Sequence, residues 1–105
     1  MKKEELFTLF SNELKFPSYF GNNWDALYDL LLDLNWINQK KIVIIHEDVP
    51  FSNMEIERKK YLELLLAVAK AWHNDEIHEL RINFPKQYQK EIEKILYPDN
   101  LNRAF

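Results

Sequence analysis

Three aspartates recur at every fourth position, at Asp25, Asp29 and Asp33, in the segment WDALYDLLLDLNW. An α-helix turns once every 3.6 residues, so this spacing places the three carboxylates in one row along a helix. Like charges at this spacing destabilise an isolated helix by about 0.2–0.5 kcal/mol per pair. A row of carboxylates can attract and bind the cations of a partner surface, which makes this segment the first candidate for a function.

Apolar side chains lie on both sides of the same predicted helix. The core stripe comprises Trp24, Leu27, Leu31 and Leu34, with Leu30 at its border. The outer side carries Tyr28, Leu32 and Trp36 among the acids. Aromatic contact area interleaved with acids is typical of a surface that binds a basic protein. Taken alone, however, such a row is more typical of a solvated helix face, with Tyr28 and Trp36 covering a neighbouring loop.

Periodicity along the rest of the chain predicts the elements that position this helix. They are a helix at 2–15 ended by Pro17, the acidic helix at 23–36, a strand at 42–45, a helix from near 51 to 73, a strand at 80–84, and a last helix opened by Pro85. The order strand, long helix, strand predicts two parallel strands joined by a right-handed crossover.

Two local patterns predict finer features. The continuous apolar run at 42–45 is typical of a strand buried on both faces. Ser52 and Glu55 have the spacing of a capping box, and Phe51 and Ile56 that of a hydrophobic staple, so we expect the third helix to begin there.

Gly21 is the only glycine in the chain, and it directly precedes Asn22 and Asn23. Gly and Asn tolerate a positive φ, and Asn is a preferred N-cap. We therefore expect a tight turn that leads into a capped second helix.

The composition restricts the class of protein. A chain of 105 residues, 47% hydrophobic and 14% aromatic, predicts one domain with a well-filled core. The net charge of −3 argues against non-specific nucleic-acid binding, and the absence of cysteine excludes disulfides and thiolate chemistry. Neither a signal peptide nor an apolar stretch of roughly 20 residues is found, so we expect a cytoplasmic protein that does not enter a membrane.

An enzyme is the first alternative, because the triplet His46, Glu47 and Asp48 follows a predicted strand. Adjacent strand residues point in opposite directions, so the triplet is not a preassembled catalytic triad. His73 and His78 do not have the spacing of a metal-ligand pair, and no glycine-rich phosphate loop or nucleophile elbow occurs. We predict no catalytic residue, no metal and no cofactor.

The fourteen residues FPSYFGNNWDALYD, at 16–29, resemble the signature of the barstar family. The family pattern is Pro, then Tyr and an aromatic, Gly, a variable residue, Asn, an apolar residue, Asp-Ala-Leu, an aromatic and Asp. The resemblance implies a small α/β domain in which a short parallel sheet packs with three to four helices. We assign residues 1–84 to this domain and expect a C-terminal helix and tail at 85–105 to pack on it.

The resemblance also implies a function, because barstar-like proteins are intracellular inhibitors of secreted bacterial ribonucleases. Asp29 would be the central anchor where the substrate phosphate sits, Asp25 a second acid, and Tyr19 an aromatic on the catalytic edge of the enzyme. Tyr28 matches a position that is commonly Trp. The complete predicted partner-binding set is Tyr19, Gly21, Asn23, Asp25, Tyr28, Asp29, Leu32, Asp33 and Trp36. The implied partner is a cognate toxin, a ribonuclease with a basic active site. The resemblance implies that the inhibitor is a monomer when free and forms a 1:1 complex with the toxin. It implies no direct contact of the inhibitor with nucleic acid or with a membrane.

The chain departs from the family pattern in three ways that keep alternatives open, one of which is that Leu32 and Leu34 replace polar or aromatic residues near the end of the second helix. It begins in a helix where family members begin with a strand, which leaves two strands of its own. Val68 and Trp72 stand where the third helix of the family carries acids. Candidates to replace that charge are Glu47, Asp48, Asp75 and Glu76. The same scaffold could therefore neutralise a toxin of another activity, or Trp36, Trp72 and the last helix could form an oligomeric interface.

Overall fold

The computed structural model describes residues 2–34, 36–38, 40–73 and 78–97, and its helices and strands follow one another in the predicted order. The helices are α1 (Lys3–Leu14), α2 (Trp24–Asp33), α3 (Glu55–Trp72) and α4 (Gln89–Leu96), with a short 3-10 helix (Lys86–Tyr88) before α4. The strands are β1 (Lys41–Ile45) and β2 (Glu79–Asn83). The predicted α/β class with a two-stranded parallel sheet is confirmed.

The core is built where α1, α2 and α3 meet. Its buried residues are Leu6, Phe7, Phe10, Phe16, Leu27, Leu30, Leu31, Leu34, Phe51, Tyr61, Leu65 and Val68. Tyr61 of α3 lies at its centre, with its ring in edge contact with Phe10 and Phe51 at centroid distances of 6.2 Å each. The α2 stripe predicted for the core is buried as expected, with Trp24 partly buried at its start.

The sheet has one face on the core and the other in solvent. Strand β1 pairs with β2 in parallel, with Lys41 opposite Glu79 and Ile45 opposite Asn83. Ile42 and Ile44 pack against the core, whereas Val43 is 40% exposed and Ile45 is 73% exposed. The prediction that β1 is buried on both faces is therefore wrong. Helices cover only one face of the sheet within the described residues, and the apolar run does not reveal this.

The first turn of α3 also differs from the prediction. Helix α3 begins at Glu55, with Met54 as an N-cap that makes no side-chain capping bond, so the capping box at Ser52 is not formed. Phe51 has a φ of 65° and is almost fully buried, whereas Ile56 is exposed, so the staple is not formed either. A left-handed conformation costs roughly 1–2 kcal/mol, which burial of a phenylalanine ring offsets at about 1.5–3 kcal/mol. Packing of Phe51 therefore delays the start of the helix.

Helix α2 ends three residues before Trp36, the predicted end. Leu34 adopts the left-handed conformation at φ 43°, and its N–H donates to the carbonyl oxygen of Leu30. Trp36 consequently does not lie on the outer helix face, and that part of the prediction is wrong. Its indole is half-buried, donates to the carbonyl oxygen of Leu14 at 2.8 Å and contacts the Phe16 ring edge at 6.0 Å.

A buried arginine connects α3 to the segment after β1 and to α4. The Nε and Nη2 groups of Arg58 donate to the carbonyl oxygens of Pro50 and Val49, at 3.0 and 2.8 Å. Its Nη1 group donates to Glu91 of α4 at 2.5 Å. Each of the three guanidinium nitrogens thus donates a hydrogen bond, which compensates for burying the charge. Pro85 directly precedes the 3-10 helix that leads into α4.

Indole N–H groups connect α2 to α3 at both ends. Trp24 at the start of α2 donates to the Glu57 carboxylate of α3 at 3.0 Å. Trp72 at the end of α3 donates to the carbonyl oxygen of Leu31 at 3.0 Å. The last four carbonyl groups of a helix lack an intrahelical partner, and Leu31 provides one of them because α2 ends at Asp33. Trp72 therefore satisfies an acceptor that the helix itself leaves open.

His46 follows β1 and uses both ring nitrogens within the fold. Its Nδ1–H donates to the carbonyl oxygen of Asn83 at 3.0 Å, and its Nε2 accepts from the Tyr61 hydroxyl at 2.5 Å. The ring stacks on Phe84 at a centroid distance of 4.0 Å. Burial lowers the pKa of His46, opposed by the hydrogen bond to Asn83, and burial raises the pKa of Tyr61. This histidine thus holds the strand ends together in its neutral form.

We expect Trp72→Phe to lower the free energy of unfolding by about 1–3 kcal/mol, because the Leu31 carbonyl group loses its donor in a partly buried position. Urea denaturation at neutral pH measures this. Tyr19→Phe is the control, since it removes a hydroxyl from an exposed ring and should change the value by less than about 0.5 kcal/mol. An unchanged stability of Trp72→Phe would contradict the role given to this indole.

We also expect the free energy of unfolding to fall as the pH drops below about 6.5, the ordinary value for histidine. The folded state lowers the pKa of His46, so the unfolded state takes up the proton first, and the stabilisation is complete only above that pH. Urea titrations between pH 5 and pH 7.5, roughly the range in which histidine titrates, measure the slope. His46→Gln should flatten the dependence of the free energy of unfolding on pH. His73→Gln, at the exposed end of α3, is the control and should leave this pH dependence unchanged.

Candidate functional site

The three aspartates of α2 form an exposed row, here called the acidic row: Asp25, Asp29 and Asp33. None of the three carboxylates forms a hydrogen bond or an ion pair with another residue of the described ranges. Within the described residues, the acidic row therefore presents negative charge that no ion pair neutralises. Its residues lie on a helix whose opposite face is locked in the core, so the row is held in a defined geometry.

Asn23 caps α2 and shapes the loop before it. Its Oδ1 accepts from the backbone N–H of Ala26 at 2.8 Å, which satisfies one of the free donors of the first helical turn. Its Nδ2 donates to the carbonyl oxygen of Gly21 at 3.2 Å. One side chain thus joins the helix start to the loop, and it sets the position of the loop relative to Asp25.

Gly21 has a different role from the one predicted. Its φ is not positive, and Asn22 takes the left-handed conformation instead, at φ 52°. A Cβ atom at Gly21 would lie 3.2 Å from Nδ2 of Asn23 and 3.7 Å from Cβ of Ala26. A side chain at this position would therefore require the capping amide of Asn23 to shift by a few tenths of an ångström. The expectation of a positive φ holds for Asn22 and is wrong for Gly21.

Tyr19 projects from the same loop with 75% of its surface exposed. The neighbouring Phe20 is anchored, with its ring at 4.9 Å from Phe16 and 6.0 Å from Phe7 between centroids. The N–H of Phe20 also donates to the carbonyl oxygen of Pro17, which closes the turn. The anchored turn holds the backbone of Tyr19 in place while leaving its ring free to contact a partner.

An open groove of about 640 Å³ separates the start of α2 from α3. Its lining includes Asn23, Asp25 and Tyr28 from the predicted set. It also includes Lys60 and Glu63 of α3, which are not in the predicted set. Their exposed i, i+3 spacing was visible in the sequence, but only the packing of α3 on α2 shows which exposed residues border the site.

Two predicted site residues lie apart from the exposed set. Leu32 is half-buried and packs against the core, and Trp36 is held by its bond to Leu14. Tyr28 is also half-buried, but it contributes to the groove. The surface that a partner can reach is thus formed by the acidic row, Tyr19 and the groove. The binding role of each residue stays a prediction.

The two α3 positions at which the resemblance implies acids are used for packing here. Val68 is fully buried, and the Trp72 indole is bonded to α2. Among the suggested replacements, Glu47 is exposed, and Asp48 has a lowered pKa because it accepts hydrogen bonds from Tyr88 and from the N–H of Val49. Asp75 and Glu76 lie outside the described residues.

The described part of the chain contains no group of three His, Cys, Asp or Glu side chains that could hold a metal ion. Its helices do not combine the length and the apolar composition needed to cross a membrane.

We expect Asn23→Ala to lower the free energy of unfolding by about 1 kcal/mol, because the N-cap acceptor is lost. Asn23→Asp keeps an acceptor at the same position and is the control, with most of the stability retained. Thermal or urea denaturation of both variants tests this. Equal losses in the two variants would contradict the capping role of the side chain.

Comparison with known proteins gives a match to a family model. Residues 1–85, which include every described element from α1 to β2, match the family model described as Barstar (barnase inhibitor). Neither the curated proteins nor the solved structures yield a match. The matched range covers the capped loop, the acidic row and the sheet, and the chain belongs to the barstar family.

Proposed function

We propose that this protein inhibits a bacterial ribonuclease of the barnase type by laying α2 and the preceding loop over the active site of the enzyme. The observation that carries the proposal is the acidic row, which is exposed, without an ionic partner in the described residues, and fixed on a rigid helix. Membership of the barstar family supports the same function, since the family is described as inhibitors of such an enzyme.

The chemistry of the target explains why carboxylates serve this purpose. A ribonuclease active site is preorganised to bind the negative charge of a phosphate, with Arg, Lys and His side chains as donors. The Asp29 carboxylate takes the place of that phosphate and accepts charge-assisted hydrogen bonds from those donors. Asp25, one helical turn away, contributes a second contact, and Tyr19 packs on the edge of the enzyme cleft.

The rigidity of α2 favours tight binding. Its core face is buried, and the indoles of Trp24 and Trp72 connect it to α3. Little conformational entropy is therefore lost when the surface meets a partner. The un-neutralised charge also accelerates the encounter with a basic surface, and added salt screens this attraction.

We further propose that the protein acts in the cytoplasm as a monomer that forms a 1:1 complex with the toxin. In this role it protects the cell in which the toxin is made. The groove residues Lys60 and Glu63 lie beside the acidic row and would select among related toxins by their charges.

A toxin with another activity is the second candidate target. The observation that favours it is that Val68 and Trp72 of α3, which stand where the resemblance implies acids, are used for packing. A different acid distribution fits a different cognate surface, while the scaffold stays the same.

We expect Asp29→Ala to weaken binding to barnase by about 100-fold or more, because its removal leaves the cations of the enzyme buried without a partner. Asp33→Ala, at the end of the same row, is the matched control and should change the dissociation constant by less than about fivefold. Inhibition of the cleavage of a fluorogenic RNA oligonucleotide, at low and at high salt, measures both effects.

Circular dichroism of both variants checks that the fold is kept, since both side chains are exposed. A complex that leaves RNA cleavage intact would contradict occlusion of the active site. The absence of any complex with barnase would contradict a target of this type and favour the second candidate. Equal effects of the two substitutions would show that the anchor is not Asp29.

A further inference from the structure

Strand β1 has one edge that pairs with no other strand of the described residues. The carbonyl oxygen of Lys40 accepts from Glu79 at 2.7 Å, and the N–H of His46 donates to Asn83 at 2.9 Å. Even-numbered residues of this segment therefore direct their backbone groups toward β2. The backbone groups of Lys41, Val43 and Ile45 point to the opposite edge, because the direction alternates along a strand.

A groove of about 660 Å³ runs between this free edge and α1. Three of the large apolar side chains exposed in the described residues line it, namely Leu9, Val43 and Ile45. An apolar groove beside unpaired strand groups has the features of a site for strand addition, in which backbone bonds give affinity and alternate side chains give specificity.

The charge of the groove favours a ligand of the opposite charge. Its ionised lining residues, here called the acidic rim, are Glu13, Glu47 and Asp48. No Lys or Arg is among its described lining residues. A basic segment is complementary to this rim. A second copy of this chain paired edge to edge would bring the same three acids toward each other, so charge disfavours self-pairing.

We propose that this groove binds an extended, basic segment of a partner protein, with β-branched residues alternating with Lys or Arg, which adds to β1 as a third strand. The apolar side chains of the segment contact Leu9, Val43 and Ile45, and its cations reach the acidic rim. The site shares no lining residue with the groove between α2 and α3, so this inference does not depend on the proposed function.

The test uses the full chain, labelled for NMR, and a short peptide of alternating lysine and valine residues with blocked ends. A peptide with glutamate in place of each lysine is the control ligand. We expect the basic peptide to bind about tenfold or more tightly than the acidic one, and to slow hydrogen exchange at the amides of Val43 and Ile45.

Two substitutions locate the site. Ile45→Lys places a cation in the groove and should weaken binding of the basic peptide by about tenfold or more. Ile56→Lys is the matched control, because Ile56 is 72% exposed against 73% for Ile45 but lies outside the groove. Asp29→Ala should leave peptide binding unchanged, which separates this result from any failure of the proposed function.

Equal binding of the two peptides, or an unchanged affinity of Ile45→Lys, would overturn the proposal. Protection of the Val43 and Ile45 amides without peptide would also overturn it. Protection that grows with protein concentration would identify a second copy as the occupant, and protection independent of concentration would identify a segment of the same chain.

Discussion

Burial of one leucine stripe of α2 against α3 is the constraint on which the rest of this structure depends. Leu27, Leu30 and Leu31 are removed from solvent by it. Indole donors then hold the helix at both ends, from Trp24 to α3 and from Trp72 to the Leu31 carbonyl group. The acceptor at Leu31 exists because the helix ends two residues later, so the position of α2 and its length are coupled.

The same constraint explains how the protein tolerates its acidic row. Repulsion between the carboxylates opposes helix formation. The free energy gained by burying the leucine side chains of the opposite face is several times larger than this repulsion. The Asn23 cap and the helix dipole near Asp25 add to this stability. Charge that would weaken an isolated helix is therefore held in place without an ion pair to any residue that the structure describes. The edge of β1 that no other described strand pairs is a second distinct feature, on a different part of the surface.

Much of this protein was predictable because its signals are local. The apolar periodicity of each helix, the two apolar strand segments and the long helix between them suffice to predict a parallel pair with its crossover. The row from Asp25 to Asp33 follows from the helical repeat alone. The motif at 16–29 identified the family, which the family comparison confirms. Each of these depends on residues that lie close together in the chain.

Tertiary packing decided the features in which distant residues compete with local preference. The ring of Phe51 is buried beside Tyr61 in place of the predicted capping box at Ser52. Helix α2 ends at the left-handed Leu34, and Trp36 then donates a hydrogen bond to the carbonyl oxygen of Leu14. Likewise, the sequence alone determined that β1 is a strand, but only the arrangement of the helices decided that one of its faces is exposed. An apolar pattern reports what a segment can bury, and the contacts of the folded chain determine what it does bury.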